Sequence, residues 1–235
     1  HAMNLNVLCN RLGVEIERQL LELALTHRSY SYEHGNLPSN ERLEFLGDSV
    51  LGFVVTAHIY ETLTDLSEAD LSTVKHAVVS ARALASVATE IGLGNYLRLG
   101  KSAEKDGGRT TMNLLADAFE AVLGAIYISN GIDEAAEFVA RWVFPLLSDV
   151  EGLLRNADPK AQLHKMFQAA GIDQPPYEIE RQGPDHAIEF SATLTYEGKV
   201  IGTGTGRSKK LAETEAAISA LANTELTLPK RKKAK

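Results

Sequence analysis

The stretch Asn40-Glu41-Arg42-Leu43-Glu44-Phe45-Leu46-Gly47-Asp48-Ser49-Val50-Leu51 spaces three carboxylates three and then four residues apart. On a helix, at about 100° per residue, Glu41, Glu44 and Asp48 fall within about 60° of one another. Leu43, Leu46, Val50, Phe53 and Val54 are expected to point the other way, towards a core. Helix stability alone does not favour like charge concentrated on so narrow a stripe. A hard cation would compensate it, which makes the stripe a candidate metal site. Gly47 and Gly52 each cost the helix about 1 kcal/mol relative to alanine. Close approach of another helix, across a dimer for example, would account for them.

A second acidic pair lies in Leu115-Ala116-Asp117-Ala118-Phe119-Glu120-Ala121. Asp117 and Glu120 share one helix face, with Phe119, Val122 and Ile126 on the other. Two antiparallel helices could bring Glu44, Asp48, Asp117 and Glu120 around one point. Oxygen-only ligation suits Mg²⁺ or Mn²⁺ rather than zinc, since the seven histidines are scattered and Cys9 stands alone. One such pair is ordinarily a solvated face. Two pairs, each on an unusually apolar helix, leave both readings open.

Up to about residue 155 nearly every segment has helical periodicity: 16–25, 41–62, 71–79, 81–91, 113–129 and 132–144. Gly100 to Gly108 reads as a polar loop, and no strand is expected in this part. After Asn156-Ala157-Asp158-Pro159 the character changes. A helix over 160–170 ends at Gly171, three strands follow, and a helix closes the chain over 208–223. Strict alternation of Ile188, Phe190, Ala192, Leu194 and Tyr196 with polar residues marks the middle strand as half-buried. Gly202-Thr203-Gly204-Thr205-Gly206 fits neither a dinucleotide fingerprint nor a Walker A loop and reads as the third strand. The expected organisation is an all-α domain over 3–155, a small α+β domain of α-β-β-β-α order over 156–225, and a basic disordered tail over 226–235.

The 235 residues suffice for one ordinary domain and a smaller one. Residues 1–156 carry a net charge of −9, and residues 157–235 a net charge of +2. The second part is therefore the one a polyanion would approach. No apolar run approaches the roughly 20 residues that span a bilayer, and no secretory signal is visible. Neither a membrane partner nor a small-molecule cofactor is expected. The single cysteine, which excludes an internal disulfide, suits a reducing cytoplasm.

Asn40 to Leu51 resembles the signature of the bacterial ribonuclease III family. His27-Arg28-Ser29-Tyr30 before it and Asn113 to Ala121 after it occur in the family's order, although serine is usual at Asn113. The second domain resembles the double-stranded RNA-binding domain that follows the nuclease domain there, so the resemblance covers essentially the whole chain. It implies an all-helical nuclease domain that acts as a homodimer and hydrolyses double-stranded RNA with Mg²⁺, for which Mn²⁺ can substitute. Carried over by position, Glu44, Asp48, Asp117 and Glu120 are the metal carboxylates, with Asp48 and Glu120 catalytic, and Glu41 and Glu68 are auxiliary acids. The implied products carry 5′-phosphate and 3′-hydroxyl ends with short 3′ overhangs. The implied substrates are ribosomal RNA precursors and structured messenger RNAs.

In the second domain the resemblance assigns RNA contact to His164, Lys165, Pro184, His186, Ser208, Lys209 and Lys210. The family commonly has Thr, Gln and Glu where this chain has Ala161, His164 and Lys165. Lys209 and Lys210 open a helix, where the dipole disfavours positive charge and a phosphate would satisfy both. The competing class is a non-catalytic RNA-binding regulator on the same fold. A retired nuclease would be expected to lose carboxylates, and all six matching positions are acidic. A DNA-directed nuclease is disfavoured by the RNA-binding module.

Overall fold

The computed structural model describes residues 4–183 and 188–229. The chain divides into two compact units between Leu153 and Leu154. Pro184, His186 and the basic stretch from Lys230 lie outside the described residues.

The first unit is helical: α1 (Leu5–Leu12), α2 (Arg18–Ala24), α3 (Arg28–Glu33), α4 (Glu41–Thr62), α5 (Glu68–Val79), α6 (Ala81–Ile91), α7 (Lys101–Lys105), α8 (Met112–Asn130) and α9 (Ile132–Trp142). Short 3₁₀ turns lie at Leu93–Tyr96, Gly108–Thr110 and Phe144–Leu147, and α10 (Val150–Ala157) runs across the division. The helix ends follow from capping. Ser67 accepts from the Asp70 N–H at the start of α5 and Ser80 from the Ala83 N–H at the start of α6, while Gly92 ends α6 in the left-handed region. An isolated bridge between Thr26 and Arg98 is the one piece of extended pairing in this unit among the described residues.

α8 forms the centre. Leu115, Ala116, Ala118, Phe119 and every residue from Ala121 to Ile126 are buried, and α2, α4, α6 and α9 pack around them. A helix apolar on nearly every side is a core helix. By length and composition alone α4 and α8 could each cross a bilayer, which corrects the expectation that no segment comes near that length. Both instead pack on each other inside this unit.

Three other expectations change. Phe53 is 65% exposed on α4 rather than in the core, whereas Leu43, Val50 and Val54 are buried as expected. The segment between Gly100 and Gly108 contains α7 rather than being all loop. Arg109 holds it through paired 2.7 Å bonds to Glu104 and 2.9 Å bonds to the carbonyls of Gly94 and Leu97. The helix α10 was not expected, and only Asp158 separates it from the next one.

The second unit comprises α11 (Pro159–Ala170), an antiparallel sheet β1 (Glu178–Gln182), β2 (Glu189–Tyr196) and β3 (Lys199–Gly206) in the order β1-β2-β3, and α12 (Lys209–Ala222). Asp158 caps α11, Pro159 opens it, and Gly171 closes it with a φ of 73°. Glu197 and Gly198, at φ of 50° and 75°, make the two-residue turn between β2 and β3. Ala192 and Leu194 of β2 are buried with Leu163, Phe167 and the alanines of α12.

The glycines of β3 set the helix-to-sheet distance. A Cβ at Gly202 would lie 2.4 Å from the Ala216 carbonyl oxygen, and one at Gly204 would lie 2.3 Å from the Ala216 nitrogen. The motif Gly202 to Gly206 is thus a packing surface for Ala212, Ala216 and Ala220. Gly204→Ala is expected to lower the stability of this unit by about 1–3 kcal/mol, because the obstruction is backbone and not a movable side chain. Urea unfolding of the full chain checks it, and an unchanged midpoint for the second unit would show that α12 can retreat at no cost.

Candidate active site

α4 begins at a fixed point. Asn40 is buried, donates its side-chain amide to the Ala24 carbonyl at 3.1 Å and its backbone N–H to the Thr26 carbonyl at 2.9 Å, and accepts the Glu44 N–H at 2.9 Å. It therefore ties the end of α2 to the first turn of α4, where Glu41 and Glu44 also suit the helix dipole. In the sequence Asn40 stands out only as the first residue of the acidic motif. Its burial beside a polar partner is visible only in the fold.

The two acidic helices touch at glycines. A Cβ on Gly47 would fall 1.7 Å from the carbonyl oxygen of Glu120, and one on Gly124 would fall 2.4 Å from the carbonyl oxygen of Leu43. No side chain fits at either place. α8 of the same chain therefore accounts for Gly47, while a Cβ at Gly52 would meet only the end of Lys75 at 3.6 Å. Glu44 and Asp48 flank Gly47 on α4, and Glu120 lies one turn before Gly124 on α8. Close approach of the backbones carries the carboxylates together.

Glu44, Asp117 and Glu120 each offer an oxygen within 4.8 Å of the others, and all three are half-buried. Asp48 is exposed at the rim of this triad and hydrogen-bonds Glu120. Burial pushes the Glu120 carboxyl from 4.5 up to about 8, with the charges of Asp48, Glu44 and Asp117 adding to the effect. Burial raises Glu44 as well, helped by Asp117, Glu41 and Asp48 and opposed by Arg28. It raises Asp117 against the pull of His27 and Arg28. The cluster is therefore short of positive charge, which is the condition a hard divalent ion relieves. The donor set fits such an ion.

The remaining expected residues lie apart from the triad. Glu41 takes the Ser39 hydroxyl at 2.8 Å and faces Arg28 at 3.9 Å. Glu68, exposed at the start of α5, takes the Ser72 hydroxyl at 2.9 Å. In the second unit Ala161, His164 and Lys165 share an exposed face of α11. Ser208 caps α12 by accepting the Leu211 N–H at 3.2 Å, and Lys209 and Lys210 are exposed in its first turn. His27, which caps α3 through Nδ1, and Arg28 flank the cluster electrostatically, and their sequence context alone did not mark them for that place.

A raised carboxyl pKa has a definite sign in stability. The folded protein keeps the Glu120 proton to about pH 8, whereas the unfolded chain releases it near 4.5, so stability falls as pH rises between those values. Glu120→Gln removes this dependence. In the metal-free protein it is expected to raise the melting temperature at pH 8 by at least about 2 °C and to change it little at pH 5. Thermal melts at the two pH values check this, and an equal shift at both would contradict it.

A family model described as ribonuclease-III-like matches residues 17–147, and one described as the double-stranded RNA binding motif matches residues 159–224. Ribonuclease 3 of Thermobifida fusca is 51% identical over 209 residues, covering 89% of this chain and 87% of that protein. Ribonuclease 3 of Streptomyces coelicolor is 47% identical over 224 residues, covering 95% and 81%. A solved nuclease domain of ribonuclease III from Campylobacter jejuni, described as showing structural flexibility in a region involved in dimer formation, has a TM-score of 0.57 at 34% identity. It covers 60% of this chain and 97% of that one. With both units matched in order, the chain belongs to the ribonuclease III family, the metal-dependent endoribonucleases of double-stranded RNA.

Proposed function

We propose that the chain is a homodimeric, Mg²⁺-dependent nuclease that cuts both strands of duplex RNA and leaves 5′-phosphate and 3′-hydroxyl ends with short 3′ overhangs. The observation that carries this reading is the triad Glu44, Asp117 and Glu120, within 4.8 Å on helices locked at a glycine crossing, with Asp48 beside it. These four carboxylates would hold the ion, and oxygen-only ligation suits Mg²⁺, or Mn²⁺ in its place. When bound, the ion supplies charge stabilisation at the scissile phosphate and lowers the pKa of water. Asp48 and Glu120 share a hydrogen bond and are the groups placed to take and hold a proton. Glu41 and Glu68 act as auxiliary acids at the edge.

The nuclease domain spans 3–155 in this reading, the RNA-binding domain 156–225, and the basic tail 226–235. His164, Lys165, Ser208, Lys209 and Lys210 bind the duplex, as do Pro184 and His186 outside the described residues. Ribosomal RNA precursors and structured messenger RNAs are the proposed substrates, and the cytoplasm the proposed site of action.

The second copy binds along α4. Phe45, Phe53 and Tyr60 are 78%, 65% and 74% exposed, and with Ser49, Gly52 and Thr56 they line one face of the helix. So apolar a stripe beside the carboxylates marks an interaction surface. A twofold axis along it gives one site for each strand, as isologous pairing requires. Phe45→Asp with Phe53→Asp is expected to give a monomer by light scattering and to abolish double-strand cuts. A dimer of unchanged mass would refute this surface.

Cleavage of labelled duplex RNA tests the chemistry. The unmodified protein is expected to cut with Mg²⁺, and Glu120→Ala to lose cutting by at least about a hundredfold while duplex binding stays within twofold. Lys209→Ala with Lys210→Ala should weaken binding and flatten its salt dependence. No cleavage by the unmodified protein in Mg²⁺ or Mn²⁺ would overturn the nuclease assignment.

A further inference from the structure

The first turn of α3 faces the carboxylates with an arginine on a fixed base. The His27 N–H donates to the Arg98 carbonyl at 3.1 Å, the Ser29 N–H donates to His27 Nδ1 at 3.2 Å, and the Gly100 N–H donates to Ser29 Oγ at 2.9 Å. Residues on both sides of Arg28 are thus tied to the body of the domain. The Arg28 side chain itself is held loosely: Nη1 lies 3.9 Å from Glu41 Oε1, and the two side chains are 61% and 56% exposed. A single long contact in water is weak and screened by salt. Glu41 already takes the Ser39 hydroxyl on its other oxygen, so it does not need Arg28 for a partner. The Arg28 charge reaches inward, pulling on both Glu44 and Asp117.

Glu41 and Asp48, exposed beside the half-buried cluster of Glu44, Asp117 and Glu120, give the site an acidic rim that repels the polyanion it must receive. A cation at that rim, on rigid backbone and with a free fork of donors, meets a phosphate first. The planar guanidinium matches two phosphate oxygens at once, which an ammonium cannot. We infer that Arg28 is a substrate-binding residue of the cleavage site, exchanging Glu41 for a backbone phosphate of the duplex beside the bond that is cut. The assignment rests on the reading of the carboxylate cluster as the catalytic centre.

Steady-state cleavage of a short duplex by the full chain, with Mg²⁺ and salt varied, tests it. Arg28→Ala is expected to lower kcat/KM by about tenfold to a hundredfold, the range for a lost hydrogen bond to a charged group. The slope of log kcat/KM against log salt is expected to flatten by about 0.9, one released counterion. The Mg²⁺ concentration for half-maximal rate should stay within twofold. Arg28→Lys, which keeps the charge without the fork, should lie between the two with the unmodified slope. If Arg28→Ala melts early, Arg28→Gln takes its place with the same expectation. A kcat/KM within twofold of the unmodified value overturns the assignment. So does a rate loss with an unchanged salt slope and a shifted Mg²⁺ requirement, which would mean that Arg28 only balances the carboxylates. Absence of cutting by the unmodified chain would instead overturn the nuclease reading beneath it.

Discussion

The contact between Gly47 and Gly124 is the constraint on which the nuclease domain depends. At this crossing the backbone of one helix occupies the space where the other would carry a side chain, with 1.7 Å and 2.4 Å left for the missing Cβ atoms. Every other feature of the site follows from that proximity. The carboxylates lie within about two turns of the crossing, so the backbones of the two helices bring them together. Glycine weakens the helix interior at both positions. The tight burial around Phe119, Val122 and Ile126 offsets that loss.

The same proximity makes the site electrostatically unfavourable by itself. Burial, helped by the neighbouring carboxylates, holds a proton on Glu120 to about pH 8 and raises Glu44, and burial raises Asp117. A protein selected only for stability would not arrange carboxylates this way, and a strongly raised carboxyl such as Glu120 among further carboxylates is a mark of function. From α3 Arg28 supplies part of the missing positive charge, while burial and Arg28 lower the pKa of His27, and a divalent ion would supply the rest. Rigid helices and a poorly compensated charge are two consequences of one packing decision.

The second unit repeats the device for a different purpose. There Gly202, Gly204 and Gly206 let α12 lie flat on β3, and the alanines of α12 complete the contact. The result is a small stiff module whose exposed α11 face and α12 first turn carry His164, Lys165, Lys209 and Lys210. The division of charge along the chain matches this division of work: the acidic unit performs the chemistry and the less acidic one meets the polyanion.

Much of this was legible in the residues. Periodicity placed α4, α6 and α8 and the strict alternation of β2, because a helix or strand with one buried face writes its period into the chain. The acidic stripes of α4 and α8 were readable for the same reason. The short helix α7 was not, since it is held by Arg109 reaching the distant Gly94 and Leu97 carbonyls and not by its own composition. Nor was the exposure of Phe53, because an aromatic residue looks the same in sequence whether it fills a core or awaits a partner. The sequence by itself determined which carboxylates share a helix face and which family the motifs resemble. Only the tertiary structure decided that Glu44, Asp117 and Glu120 meet, that Gly47 is required by α8, and that Arg28 stands at their rim. Those are distances between segments far apart in the chain, and local periodicity carries no information about them.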